Sequence, residues 1–237
     1  MLNPAASPPK VASIVPRIGR IVWPGVPYHV THRGNRRGSI FFRDSDRTGY
    51  LALLRESAAQ ADLRVWAYAL MSNHVHLLVV AERADSMARG IGNAHRGHSR
   101  RVHSREGWTG HLWAHRFYST PLDDAHLWAA VRYIELNPVR AALAPSAEEY
   151  AWSSARSHTN PLEDPLLDPK RPFPGEIADW GSWLREGMQD PRAETIRRNT
   201  ASGRPTGSAL FVRELEERLG RDLLPRKRGP KPETRDS

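Results

Sequence analysis

Two apolar, β-prone runs separated by only two residues constrain the fold of this chain most strongly. Residues 64–71 (RVWAYALM) and 74–80 (HVHLLVV) both favour strands, and the Ser-Asn pair between them favours a turn. The longest unbroken apolar run, Val65–Met71, is far shorter than the roughly 20 residues that a membrane-spanning helix needs. The sequence therefore predicts a β-hairpin inside a globular domain, and no association with a membrane.

The elements around this hairpin predict an α/β (α+β) sandwich. Further strands are expected at 28–32 and 115–120, and helices at 44–61, 86–103 and 125–137. The resulting order, β-α-β-β-α-β-α, favours a mainly antiparallel sheet with its helices on one face.

Composition changes along the chain suggest four segments. Residues 1–16 are rich in Pro, Ala and Ser and are expected to be disordered. Residues 17–157 hold the predicted sandwich. Residues 158–205 contain seven prolines and are interpreted as an irregular extension, and residues 206–237 as a short helix followed by a basic tail.

The chain of 237 residues has a formal net charge of +9 and no cysteine. The missing cysteines exclude disulfides, thiolate metal sites and cysteine nucleophiles. Residues 1–43 carry seven basic and no acidic residues, and the basic block at 86–118 also contains aromatic residues. Such a mixture suits single-stranded nucleic acid, although a solvated basic surface is the alternative. With no basic start followed by an apolar core at the N-terminus, a cytoplasmic, nucleoid-associated location is expected.

A His-x-His pair lies on the second strand of the hairpin. His74 and His76 are two residues apart, so both imidazoles point to one face of the sheet, whereas Val75, Leu77 and Val79 point to the other. The pair could hold one divalent ion. By itself, however, such a pair is a weak signal and favours two partly buried, hydrogen-bonded histidines.

Tyr133 and Asn137 are four residues apart on the predicted helix 125–137 and therefore share one helical face. The amide oxygen of Asn137 could complete a site of two nitrogens and one oxygen for Mg²⁺ or Mn²⁺, with the phenol of Tyr133 one turn away. The alternative is an ordinary helix tyrosine and a helix end before Pro138. Glu135 lies roughly 200° around the helix from Tyr133 at about 100° per residue, so it is not placed to act as its base.

Several stretches together strongly resemble the HUH single-strand DNA transposases, and among them the REP-associated tyrosine transposases of the insertion-sequence-200-like group. The similarity covers residues 17 to about 157, with the motifs in the expected order. They are PGVPYHVTHRGNRRGSIFF, YALMSNHVHLLV, GHLWAHRFYS, VRYIELNPVRAAL and YAWSSAR. The C-terminal PTGSALFVRELEERLGRDLLPRKRGPKP also resembles an extension of some members.

The resemblance implies a ferredoxin-like or RRM-like fold and a metal-dependent transposase. His74 and His76 then correspond to the metal-binding histidine pair, Asn137 to the third ligand and Tyr133 to the nucleophile. The implied reaction cuts single-stranded DNA beside hairpins through a 5′-phosphotyrosine, without ATP.

The resemblance and the charge pattern also indicate DNA-binding candidates. The first group lies in the loop that resembles the family's guide-sequence contact region: Arg33, Asn35, Arg36 and Arg37. The second group lies in the basic, aromatic block: Arg100, Arg101, Trp113 and Arg116. Five histidines nearby are interpreted as DNA-backbone contacts or plain surface residues: His95, His98, His103, His111 and His115.

The sequence leaves three questions open. A metal-dependent phosphodiesterase that uses water, or a domesticated hairpin-binding protein without turnover, would share most of these features. A monomer would assemble Tyr and His in cis, whereas a homodimer could assemble them from two chains. The target DNA sequence is not encoded in the chain.

Overall fold

The computed structural model describes residues 20–160, 163–173 and 175–224. The disorder predicted for residues 1–16 and the basic strip at 225–232 lie outside these ranges. Within them, no helix combines the length and the apolar character needed to cross a bilayer.

A four-stranded antiparallel sheet with the spatial order β2-β3-β1-β4 forms the centre of the fold. Its strands are β1 (Pro27–Arg33), β2 (Leu63–Leu70), β3 (His74–Ala81) and β4 (Tyr118–Pro121). Helix α1 (Asp44–Gln60) connects β1 to β2, and α2 (Ser86–Glu106) connects β3 to β4. This is the β-α-β-β-α-β order of a ferredoxin-like domain, and it confirms the predicted fold class.

The strand expected at 115–120 and the helix expected at 125–137 have different bounds in the structure. The strand expected at 115–120 begins only at Tyr118, because His115 has a φ of 57° and interrupts the extended backbone. The helix expected at 125–137 is divided into α3 (Asp124–Glu135) and a single turn, α4 (Asn137–Arg140). Asp123 caps α3 by accepting a hydrogen bond from the backbone N–H of His126.

Four more helices follow: α5 (Ala155–Thr159), α6 (Trp180–Glu186), α7 (Arg192–Ser202) and α8 (Ala209–Leu219). Helix α8 confirms its prediction, with Ser208 as N-cap and Gly220 in the left-handed region at its end. The interpretation of residues 158–205 as irregular is wrong, because α6 and α7 form there. The seven-residue α6 is too short to show a periodic pattern, and α7 is mostly polar, so both depend on tertiary contacts.

Both faces of the sheet are covered, each by a separate core. Helices α1 and α2 pack on one face over residues such as Tyr28, Val30 and Leu77. On the other face, α3, α6 and α7 contribute to a second core that includes Leu78 and Val80 of β3. The prediction of helices on one face is therefore wrong. The reason is that β3 is apolar on both sides over its second half, so both sides require cover.

Glycines in α2 serve close packing against the first face. A Cβ on Gly90 would lie 2.9 Å from the Leu63 side chain, and one on Gly97 would lie 3.0 Å from that of Leu53. Gly90 and Gly97 thus let α2 approach β2 and α1 closely.

Candidate active site

The His-x-His pair lies on β3, at the edge of the second face. His74 and His76 point away from α1 and α2, and their ring centroids are 4.9 Å apart. Val75, Leu77 and Val79 fill the first core, as the alternation predicts. The strand thus anchors the pair rigidly, with one side buried in the core and the other presenting two imidazoles.

Tyr133 is brought against this pair by α3, which crosses the second face of the sheet. The ring centroid of Tyr133 is 5.4 Å from that of His76 and 5.4 Å from that of His29. Within this one chain, Tyr133 therefore lies close to His76 and His29. Asn137 lies one turn further along, where its Nδ2 donates to the Tyr133 carbonyl oxygen over 2.6 Å.

These side chains line one open cavity of about 880 Å³. Cations surround it from two directions. Arg33 ends β1, and Arg36 and Arg37 follow it in the next loop. On the other side, Arg197 and Arg198 belong to α7, and Arg204 comes two residues after its end. We call this cavity the cleft. Its size and positive rim fit an extended polyanion better than a small neutral ligand.

Two neighbouring arginines at the rim have a rare backbone conformation. Arg36 and Arg37 have φ values of 51° and 62°, in the left-handed region that non-glycine residues seldom adopt. The loop is held in place because Gly34 N–H donates to the Asn73 carbonyl oxygen and Asn35 N–H to that of Leu112. Strained residues that the surroundings hold in place are a feature of binding sites. Asn35 belongs to the same loop and is exposed, but it does not line the cleft.

His74 and His76 are both in the protonation state that a metal ligand requires. Burial lowers the pKa of His74 to about 4 and the pKa of His76 well below its ordinary value, and the charge of Arg33 adds to both effects. Both imidazoles are therefore neutral at neutral pH, which is the form that binds metals.

A hydrogen bond at Nδ1 fixes the orientation of the His74 ring. Asn73 donates its Nδ2 to the Arg37 carbonyl oxygen over 3.0 Å, which leaves its Oδ1 to accept from His74 Nδ1–H over 2.7 Å. The Nε2 of His74 then carries the lone pair. Metal-bound histidines are commonly supported by such a bond from the second ring nitrogen.

A metal ion fits this donor set only with oxygen ligands added. In the described part of the chain, no three His, Cys, Asp or Glu side chains converge on one point that could hold an ion. The fitting residues are His74, His76 and the amide oxygen of Asn137, which would leave positions for phosphate oxygens and water.

Burial raises the pKa of Tyr133 above its ordinary value. The charges of Arg197 and Arg140 and a hydrogen bond from the Asn137 side chain oppose this effect without cancelling it. The phenol therefore keeps its proton at neutral pH. Glu135 does not reach the cleft, as its helical position predicts, because it is fully buried in the second core.

The second group of DNA-binding candidates lies elsewhere. Arg100, Trp113 and Arg116 line a different cavity of about 860 Å³ beside α2, and Arg101 donates to the Gly49 carbonyl oxygen over 3.1 Å. Trp113 is 7 % exposed and belongs to the first core, with its Nε1–H donated to the His95 carbonyl oxygen. Its ring therefore has little surface left for stacking on a base.

Two of the five neighbouring histidines are not surface residues. His95 is buried between Tyr50, His32 and Trp113, and His98 Nε2–H donates to the Ile40 carbonyl oxygen over 2.7 Å. The interpretation of His95 and His98 as DNA-backbone or surface residues is therefore wrong. His111 and His115 are exposed and His103 partly so.

The sequence interpretation missed His29 and the residues of α7. His29 is 1 % exposed, and its Nε2 lies 2.9 Å from His76 Nδ1. Its alternation on β1 places it on the same face as Thr31 and Arg33, which is a signal the sequence does contain. Nothing local in 192–202 indicates that this segment reaches the sheet.

The fold and the cleft together define a class of protein: a ferredoxin-like domain in which a strand-borne histidine pair faces a helix-borne tyrosine inside a cation-rimmed cavity. Residues 24–137 match the family model described as "Transposase IS200 like". The matched stretch contains the whole sheet, the histidine pair and Tyr133, so this domain is similar to the IS200-like transposases.

Comparisons with individual proteins are more distant. One similar solved structure is a REP-associated tyrosine transposase bound to a REP hairpin, with 16 % identity, 65 % of this chain and 91 % of that chain covered, and a TM-score of 0.46. Another is a candidate transposase from Deinococcus radiodurans R1, with 20 % identity, coverage of 54 % and 92 %, and a TM-score of 0.36. No curated protein matches the sequence.

Proposed function

We propose that this protein is a transposase, namely a metal-dependent single-stranded DNA endonuclease and strand transferase that acts at hairpin-forming repeats through a 5′-phosphotyrosine. The observation that carries the proposal is the position of Tyr133 against His76 inside the cation-rimmed cleft. A tyrosine held there can reach a phosphate that the arginines and the histidine pair bind together.

In the proposed reaction Tyr133 is the nucleophile. Its Oη forms a bond to the scissile phosphorus, the bond from phosphorus to the 3′ oxygen breaks, and the phenol loses its proton while the departing 3′ oxygen gains one. The phosphotyrosine keeps the energy of the phosphodiester, so a new 3′-hydroxyl can reverse the step and join another strand. Mg²⁺ or Mn²⁺ held by His74, His76 and Asn137 would supply Lewis-acid polarisation of the phosphate.

The positive rim supports binding of the phosphate backbone. Arg197 and Arg140 lie near enough to Tyr133 to lower the pKa of its phenol, so they also favour the developing tyrosinate. Unpaired bases expose their faces and edges, so specificity at a hairpin and its flanking single strand would come from shape and exposed bases.

The first test uses a hairpin with a single-stranded flank, labelled at its 3′ end, since the proposed adduct retains the 3′ part of the strand. We expect the label to migrate with the protein on a denaturing gel when Mn²⁺ or Mg²⁺ is present, and not with EDTA. Cut DNA without an adduct would instead indicate attack by water. Tight binding with neither product, across a pool of hairpins, would indicate a binding protein.

The rim arginines provide a second prediction. The double change Arg36→Ala and Arg37→Ala should weaken DNA binding and reduce the slope of log K against log salt by about 1.4, since each single-strand phosphate contact contributes about 0.7. Fluorescence anisotropy over a salt series measures this slope. The control pair is Arg55→Ala with Arg213→Ala, two exposed helical arginines outside the cleft. An unchanged slope in the Arg36/Arg37 variant would remove both from the phosphate contacts.

A further inference from the structure

A chain of three buried side chains connects α7 to the histidine pair. Thr200 Oγ1 lies 2.7 Å from His29 Nδ1, and His29 Nε2 lies 2.9 Å from His76 Nδ1. Thr200, His29 and His76 are 1 %, 1 % and 4 % exposed, so water does not compete for these hydrogen bonds. The rings of His29 and His76 are also stacked, with centroids 5.2 Å apart and planes within 12°.

The direction in which the Thr200 hydroxyl donates its hydrogen determines which atom is donor and which is acceptor in both of the following hydrogen bonds. The Thr200 hydroxyl lies 2.7 Å from the Ile196 carbonyl oxygen, one helical turn back in α7, and can donate only one hydrogen. If that hydrogen goes to Ile196, the Thr200 oxygen accepts from His29 Nδ1–H. A neutral imidazole carries one N–H, so His29 Nε2 then accepts from His76 Nδ1–H.

This order has a consequence for His76. Its Nδ1 holds the hydrogen, and its Nε2 is left with a lone pair. The reverse order, with Thr200 donating to His29, would put the hydrogen on His76 Nε2 and prevent that atom from binding a metal. The hydrogen bond to Asn73 independently leaves His74 with a lone pair on Nε2. When Thr200 donates to Ile196, both His74 and His76 can therefore bind a metal through Nε2.

We propose that Thr200 is a positioning residue that acts through His29 to hold His76 in the tautomer whose Nε2 presents a lone pair to a divalent metal ion. The inference rests on the proposed function in taking His76 as a metal ligand. Thr200 lies outside residues 24–137, the part of the chain that matches the family model. The C-terminal extension is thus an integral part of the cleft.

The hydrogen-bonded series Thr200–His29–His76, which we call the relay, can be tested in the wild-type protein without metal, DNA or turnover. In a protein labelled with ¹⁵N at histidine, long-range ¹H–¹⁵N correlations distinguish a protonated Nδ1 from a protonated Nε2, and the signals of His76 are assigned by comparison with His76→Gln. We expect His76 to carry Nδ1–H and an unprotonated Nε2. A protonated Nε2 on His76 would overturn the proposal, whatever nuclease activity the protein has.

Variants then test the contribution of Thr200. Thr200→Val keeps the shape but loses the hydroxyl, and we expect its Mn²⁺ affinity, measured by electron paramagnetic resonance, to fall about tenfold, the lower end of the effect of such supporting residues. Thr200→Ser should restore the affinity. Thr206→Val is the matched control, because Thr206 is also fully buried and bonds another threonine, Thr120, outside the cleft.

These outcomes distinguish a failure of the relay from a failure of the proposed function. Wild-type Mn²⁺ affinity in Thr200→Val, or an equal loss in Thr206→Val, would overturn the contribution of Thr200. The expected tautomer together with no covalent DNA adduct would leave the relay standing and contradict the proposed nuclease. If Thr200→Val does not fold, Thr200→Ala, which also lacks the hydroxyl, takes its place in the affinity measurement, and the wild-type spectrum still tests the tautomer.

Discussion

Replacing Tyr133 with phenylalanine is expected to abolish the covalent DNA adduct and to lower cleavage at least about 1,000-fold, since the step loses its only nucleophile. DNA affinity should remain close to that of the wild type. The phenyl ring keeps the packing against His29 and His76, and only the hydroxyl is lost. The measurement is the rate of cleavage and the amount of adduct with a 3′-labelled hairpin under single-turnover conditions.

Tyr118 provides a sharp comparison because it is a second tyrosine that lines the same cleft, on β4 instead of α3. Tyr118→Phe should still form the adduct. If Tyr118→Phe lost it while Tyr133→Phe kept it, the nucleophile would be Tyr118. Cleavage at the wild-type rate in both variants would contradict a tyrosine mechanism and favour water.

The second large effect concerns stability. Glu135→Ala should lower the free energy of unfolding by about 3–5 kcal/mol, because it strips three buried donors of their acceptor. The carboxylate is fully buried. Its Oε1 accepts from the Ser154 hydroxyl over 2.5 Å and from His158 Nδ1 over 2.7 Å, and its Oε2 accepts from Trp180 Nε1 over 2.7 Å.

Urea denaturation of the full chain measures this loss. Glu56→Ala on α1 is the matched control, since Glu56 is an exposed helical glutamate and should change stability by no more than about 0.5 kcal/mol. Glu135→Gln keeps one acceptor oxygen and should lose less than Glu135→Ala. Equal stability of Glu135→Ala and Glu56→Ala would show that the buried network does not hold α3 to α6.

The hydrogen bonds of Glu135 affect the cleft because Glu135 and Tyr133 lie on the same helix, α3. Tyr133 faces the histidine pair, and Glu135, two residues later, faces the second core. The residues that anchor Glu135 come from α6 and from the segment around α5, far along the chain. Rigid support from the extension therefore positions the helix that presents the proposed nucleophile.

Local sequence patterns are sufficient to predict the strands and helices of the ferredoxin-like domain. The alternation in HVHLLVV correctly separated His74 and His76 from the core valines, and the spacing of Tyr133 and Asn137 placed both beside one cavity. Such predictions succeed because a strand repeats every two residues and a helix every 3.6, whatever the surroundings.

Other residues could not be found in this way. Trp113 was expected at a DNA surface, yet it packs in the first core, because an aromatic residue among arginines has the same sequence signature whether it is buried or exposed. The sequence does not predict α6 and α7, because their few buried apolar residues, Trp180, Leu184 and Ile196, form a recognisable pattern only when packed in the second core.

Local periodicity alone predicts the order of elements, the side of β3 on which the histidines lie and the helical face of Tyr133. Packing between distant elements is what covers both sheet faces, joins Thr200 and His29 to His76 by hydrogen bonds, and adds arginines of α7 to the rim of the cleft. Those contacts join residues up to 171 positions apart, and their formation depends on packing between elements that no local pattern encodes.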